Sequence, residues 1–271
     1  DTAEAANAMQ KLATQDKVIA SIAPIASSSV MAAAQVNESA KILGISPTAS
    51  NPNVTVDPET GKVRDYLFRA TFIDPFQGAV MDKNEKNTLK AQKAAVYIEN
   101  SSDYAKGLGK FFKETFVQNG GNIVSDEAYL AKDTDFKATL TKIKASNPDV
   151  IFVPGYYQEV GMIIKQAREI GITVPILGAD GWDSAKLPEI AGAEALNNTF
   201  FSNHYSPDDN SPEIKNFVEA YKAEYGQVPD AFAALSYDAT MMIIEAIKRA
   251  GVEDSVKVKD ELAKTKEYQG V

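Results

Sequence analysis

From residue 94 to residue 204 short β-rich runs alternate with stretches whose apolar side chains recur every three or four positions. This is the pattern of repeated strand–helix units on a parallel sheet. Five strands are expected, at 94–99 (AAVYIE), 122–129 (NIVSDEAY), 149–154 (DVIFVP), 175–179 (PILGA) and 199–204 (TFFSNH), each separated from the next by one helix length. The helices between them carry ordinary signals. Asp103 is placed to cap one that turns Leu108, Phe111, Phe112 and Phe116 inward, and Asp133 to Asp135 open another with Phe136, Leu140 and Ile143 inward. Beyond Tyr157, the residues Val160, Ile163, Ile164 and Ala167 again keep helical spacing up to Gly171.

The flanks read differently. Ala3, Ala6, Met9 and Leu12 predict a helix over 2–15, VIASIA at 18–23 a buried strand, and 28–43 a second helix that stops at Gly44 before a short strand at 45–47. From 212 to 264 there are three helix patterns and no convincing strand. Helices need a face to cover, so the C-terminal ones are expected to pack on the small N-terminal sheet. The predicted architecture is therefore α/β with two lobes. Residues 1–73 plus 205–271 form a discontinuous first lobe, and residues 74–204 form a complete, inserted second lobe. The first lobe is short of strands, because its opening helix follows none and the chain stops at Gly270-Val271 where a returning strand would begin; truncation at both ends is the expectation.

Composition narrows the function classes. A formal charge of −9 over 271 residues disfavours nucleic acid and anionic membrane surfaces, which call for clustered Lys and Arg. Zero cysteines removes disulfides, thiolate metal sites and Cys nucleophiles. No stretch approaches the roughly 18 apolar residues of a spanning helix.

In open parallel sheets ligands bind beyond the carboxyl ends of the strands, so the residues just after each strand are the informative ones. After 18–23 comes Pro24-Ile25-Ala26-Ser27-Ser28-Ser29, and after 45–47 comes Thr48-Ala49-Ser50-Asn51-Pro52. The serine trio between strand and helix, with the N–H groups of the helix start, suits an anion such as an α-carboxylate, although serine is also favoured there as a plain N-cap. Ser50 would add a hydroxyl to the same anion, or would be an ordinary turn residue. In the second lobe, Asp180 ends a buried strand where a carboxylate would receive an ammonium group. Asp183 is the better candidate to cap the following helix at 184–191. Tyr104, Tyr156 and Trp182 offer apolar faces with polar tips, as suits a pocket that holds an aliphatic side chain and hydrogen-bonds a head group, although any one of them alone is more often a core or surface residue. His204 is the only histidine and is expected merely to end a strand. No metal cluster, cofactor motif or catalytic residue emerges: Gly107-Leu108-Gly109 lies within a helix pattern and no Gly-x-Ser-x-Gly elbow exists.

These same segments resemble the branched-chain amino acid (leucine/isoleucine/valine) binding proteins of ABC transporters, with the type I periplasmic-binding fold. The resemblance is carried by Ile25-Ala26-Ser27-Ser28-Ser29, by Ile45-Ser46-Pro47-Thr48-Ala49-Ser50-Asn51-Pro52, by Phe68-Arg69-Ala70-Thr71, by Asp103-Tyr104-Ala105-Lys106-Gly107, by Gly155-Tyr156-Tyr157-Gln158-Glu159 and by Leu177-Gly178-Ala179-Asp180-Gly181-Trp182. It implies two Rossmann-like lobes that close over a ligand like a Venus flytrap, with chain crossings near 70–74 and 203–206. Carried over residue by residue, it implies Ser27 and Ser50 on the ligand carboxylate, the Thr48 carbonyl and Asp180 on its ammonium, and Tyr104 and Tyr156 from the second lobe. Ile25, Ser28, Ala49 and Trp182 complete the expected ligand-binding set, Trp182 standing where many relatives carry something smaller. The implied protein is no enzyme. It is an extracytoplasmic monomer, periplasmic or lipid-anchored, that delivers a neutral amino acid to a membrane permease; the alternative is a sensing ectodomain built on the same fold.

Overall fold

The computed structural model describes residues 1–77 and 90–271. The chain divides into two compact units, Asp1–Phe72 with Tyr205–Val271, and Ile73–His204.

The first unit opens with helix α1 (Thr2–Lys11), where Asp1 and Glu4 form a capping box, followed by a π-helical turn at Leu12–Asp16. The single helix expected over 2–15 is thus wound in two ways, and Lys17 leaves it in the left-handed conformation at φ 52°. Strand β1 (Ala20–Ile22), helix α2 (Ser27–Ala40), strand β2 (Leu43–Ser46) and strand β3 (Leu67–Arg69) follow. The three strands form a parallel sheet in the order β1-β2-β3. β3 was not expected, and β2 begins two residues ahead of its predicted start.

Alternation along β2 sorts the layers. Leu43 and Ile45 pack with Ala239, Ile243, Ala246, Val258 and Leu262 of the C-terminal helices α8 (Ala231–Ala250) and α9 (Ser255–Ala263), which follow α7 (Pro212–Tyr225). Val30 and Ala34 of α2 cover the opposite face with Ala23, Val54 and Leu67. Gly44 lies on that side under Asn37, and a Cβ there would stand 2.8 Å from the Asn37 amide nitrogen, itself committed to the Ile42 carbonyl. The close helix–sheet approach therefore requires a glycine.

The second unit is a five-stranded, all-parallel sheet in the order β5-β4-β6-β7-β8. Its elements are β4 (Lys93–Glu99), α3 (Asp103–Gln118), β5 (Asn122–Tyr129), α4 (Lys137–Ala145), β6 (Val150–Phe152), α5 (Tyr157–Glu169), β7 (Ile176–Gly178), α6 (Lys186–Ala191) and β8 (Thr199–Phe201). The helix caps differ from expectation. Ser102, not Asp103, caps α3 by accepting from Ala105 N–H, and α6 starts at an Ala185 N-cap without help from Asp183. Asp183 instead accepts a hydrogen bond from the Asn203 amide. Two cores flank the sheet. Ala94, Val96, Phe152 and Leu177 pack with Leu108, Phe112 and Phe116 of α3, whereas Ala95, Tyr97, Ile151 and Ile176 pack with α4 and α5. Among the described residues no helix is long and apolar enough to cross a membrane.

Candidate functional site

In the first unit, two loops leave the carboxyl ends of β1 and β2 and are tied to each other. Ser46 donates to the Pro24 carbonyl, Thr48 donates to the Ile25 carbonyl, and Asn51 N–H donates to the Ser27 hydroxyl at 3.3 Å. Ala49 is buried and its N–H reaches the Ser46 hydroxyl. Ile25 is 48% exposed, and Ser28 sits half-buried in the first turn of α2. The serines do not stand at the N-cap, which is Ala26 and makes no side-chain cap hydrogen bond. Ser27 accepts from the neighbouring loop instead, and its own hydroxyl proton stays available to donate.

Arg69, at the end of β3, fixes the second of these loops. Its guanidinium donates to the carbonyls of Ser50 and Asn51 at 3.0 Å, of Pro52 at 3.1 Å and of Ala49 at 3.3 Å, and to the Thr55 hydroxyl at 2.6 Å. Arginine suits this task because its planar fork spreads several donors over a rigid plane. Arg69 belongs to the Phe68-Arg69-Ala70-Thr71 motif, and its clamping role is visible only in the fold. Within the clamped loop the Ser50 hydroxyl is fully buried and has no hydrogen-bond partner among the described residues. A buried polar atom left unpaired costs stability, and a ligand oxygen that reaches it would recover that cost.

In the second unit the strand order reverses at β4, whose following helix and that of β6 diverge, so the loops after these strands border a crevice. Tyr104 arises in the first turn of α3 and Tyr156 is the N-cap of α5; their rings stack at 5.2 Å. Asp180 opens a 3₁₀ turn, Asp180–Trp182, directly beyond β7, and is 3% exposed. Tyr104 donates its hydroxyl proton to Asp180 Oδ1 at 2.8 Å and accepts from Gly181 N–H at 2.9 Å. Gln77 Nε2 donates to the same Oδ1 at 2.9 Å, and His204 Nε2 lies 3.3 Å from Oδ2. Burial, reinforced by the Asp180 charge, holds both tyrosine hydroxyls well above their ordinary range, so they remain protonated donors.

Two expectations change here. His204 does not merely end a strand: β8 closes at Phe201, and the imidazole is buried against Asp180. Trp182 belongs to the core. It is 0% exposed, its indole N–H donates to the Val153 carbonyl at 3.0 Å, and its ring packs on the α5 side of the sheet, opposite the layer that holds Tyr104 and Tyr156. It therefore has no face to offer a ligand beside them. The structure thus gathers Ile25, Ser27, Ser28, Thr48, Ala49 and Ser50 in one unit, and Tyr104, Tyr156 and Asp180 in the other. Gln77 and His204 join the latter, unforeseen.

Comparison with known proteins places this arrangement. The chain is 29% identical over 254 residues to the leucine-specific-binding protein of Salmonella typhimurium and 31% identical over 247 residues to an amino acid binding protein of Pseudomonas aeruginosa. Each match covers 91% of this chain and respectively 66% and 64% of the relative, so the chain spans just under two thirds of the length of these curated relatives. Among solved structures, the leucine binding protein LivK of Thermotoga maritima superposes with a TM-score of 0.93 at 39% identity, and the branched-chain amino acid transporter substrate binding protein LivJ of Streptococcus pneumoniae, in complex with isoleucine, with 0.91 at 41%. Both cover 100% of this chain and 75% of theirs. The family model for periplasmic binding proteins matches residues 1–271, and the chain belongs to that family.

Proposed function

We propose that this chain is the ligand-binding part of an extracytoplasmic solute-binding protein that captures a neutral, branched-chain amino acid and delivers it to the permease of an ABC transporter. The observation that carries the reading is the buried Asp180 carboxylate, set beyond a strand end among the hydroxyl-bearing rings of Tyr104 and Tyr156. Two donors occupy Oδ1, while among the described residues Oδ2 has only the longer contact to His204 and keeps a direction for an ammonium proton. The first unit supports the opposite end of the zwitterion: the Ser50 hydroxyl awaits a partner, and with Ser27 at the start of α2 it suits an α-carboxylate. The Thr48 carbonyl is assigned to the ammonium alongside Asp180.

The named ligands of the relatives, leucine and isoleucine, point to the same chemistry, and the relatives cited are binding proteins. An extracytoplasmic location follows from the family. Titration calorimetry with L-leucine tests the assignment: Asp180→Ala is expected to weaken binding at least about tenfold, about 1.4 kcal/mol. An unaltered affinity would take Asp180 out of the site.

A further inference from the structure

Asp180 is held by more than the tyrosine beside it, and the additional partners lie at the two ends of the second unit. Gln77 stands close to its first residue, Ile73, and His204 is its last. Gln77 is fully buried, and its amide is fixed at both ends: Nε2 donates to Asp180 Oδ1, and Oε1 accepts from the Ser202 hydroxyl at 2.7 Å. Chemistry dictates this orientation, because an ionised carboxylate only accepts. The Ser202 backbone N–H is in turn bound to the Gly178 carbonyl of β7, at 3.3 Å, so the support returns to the strand that ends at Asp180.

We propose that Gln77 and His204 are positioning residues for Asp180 that set selectivity for a ligand ammonium over an uncharged donor in the same place. The inference rests on the reading of Asp180 given above. A carboxylate offers about four lone-pair directions. Among the described residues, Tyr104 and Gln77 take both at Oδ1, and His204 takes one at Oδ2, which leaves a single direction and blocks rotation of the group. An incoming donor then meets one fixed, dry, charged acceptor. The attraction of a full positive charge to that acceptor depends steeply on the exclusion of water, whereas a neutral hydroxyl gains only an ordinary hydrogen bond. Loosening the carboxylate therefore harms a cationic ligand more than a neutral one.

The experiment compares L-leucine with leucic acid, its α-hydroxy analogue, by calorimetry on the full chain and on Gln77→Met, His204→Leu, His204→Gln and Asp180→Ala. Thermal melts verify that each variant is folded. Gln77→Met and His204→Leu are expected to reduce the leucine-to-leucic acid affinity ratio at least about tenfold, and His204→Gln, which retains a side-chain N–H, to restore part of it. A purely structural role would weaken both ligands equally and leave the ratio unmoved. A ratio within about twofold of the parent in both Gln77→Met and His204→Leu, alongside a collapsed ratio in Asp180→Ala, overturns this inference alone. An unmoved ratio in Asp180→Ala overturns the assignment of Asp180 and this inference with it.

Discussion

The Arg69 clamp gives the most demanding prediction, because it ties a measurable energy to one side chain. Five of its acceptors lie on this loop, but Nη1 has two hydrogens for three carbonyls, so at most four of these five hydrogen bonds form at once. At about 1 kcal/mol net for each, complete removal would cost about 4 kcal/mol, and the partial exposure of Arg69 lets water replace some of this. Arg69→Met, which keeps most of the stem and loses every donor, is expected to destabilise the first unit by about 3 kcal/mol, a fall in Tm of about 10 °C for a unit of this size. Arg69→Lys should recover less than half, since an ammonium is a compact point and cannot reach carbonyls spread over four consecutive residues. Differential scanning calorimetry supplies the energy. Hydrogen exchange supplies its location, with Asn51, Asn53 and Val54 amides exchanging faster in Arg69→Met while those of β4 are unchanged. Parent-like protection of these amides together with a parent-like Tm would refute the clamp.

Further outcomes follow from individual contacts. Ser50→Ala removes a buried hydroxyl that has no partner among the described residues, so stability should hold or rise by up to about 1 kcal/mol while leucine affinity falls about tenfold; a parallel loss of both would mark Ser50 as structural. Gly181→Ala would set a Cβ 2.5 Å from the Gly155 carbonyl oxygen and 3.0 Å from the Tyr104 hydroxyl, costing about 2 kcal/mol in denaturant melts and displacing Asp180, with leucine affinity falling too. Burial raises the Glu99 carboxyl above its ordinary value, so the folded state holds its proton to a higher pH than the unfolded chain. Stability from this group is therefore lost as pH rises from the unfolded value through the folded one, and the penalty persists above it. Glu99→Gln should stabilise the protein at pH 7 and make no difference in acid; equal effects at both pH values would contradict the burial argument.

How legibly the sequence carries these features depends on range. Strand β5 is read to its exact ends because its eight residues follow the turn residues Gly120-Gly121 and give way to a polar helix-opening segment, whereas β3 is three residues long and too short to show a period. The loops of Ser27, Ser50, Tyr104, Tyr156 and Asp180 stand out because they follow strands. Trp182 passed the same test and yet belongs to the core: in a 3₁₀ turn two positions carry a side chain two thirds of the way round, past the edge of the sheet, and an aromatic with a polar tip looks the same on either face. His204 offers no partner histidine in the sequence, but it follows β8 as Asp180 follows β7, so its signal lies in its position after a strand. Gln77 carried no local signal, because its partner lies 103 positions away. Arg69 was visible as a motif residue only, since its acceptors are main-chain carbonyls and leave no trace in residue types.

The interior placement of Trp182 has a practical corollary. It is the sole indole of the chain, lies two positions from Asp180, and packs in the second unit's core against Val153 and Phe201. Ultraviolet emission excited at the red edge of tyrosine absorption is thus a built-in gauge of that half alone. Set beside far-ultraviolet dichroism, which sums over every helix, it would resolve whether the halves lose their order together or in turn. With no native thiols to interfere, a dye can be added to the other half at any chosen position.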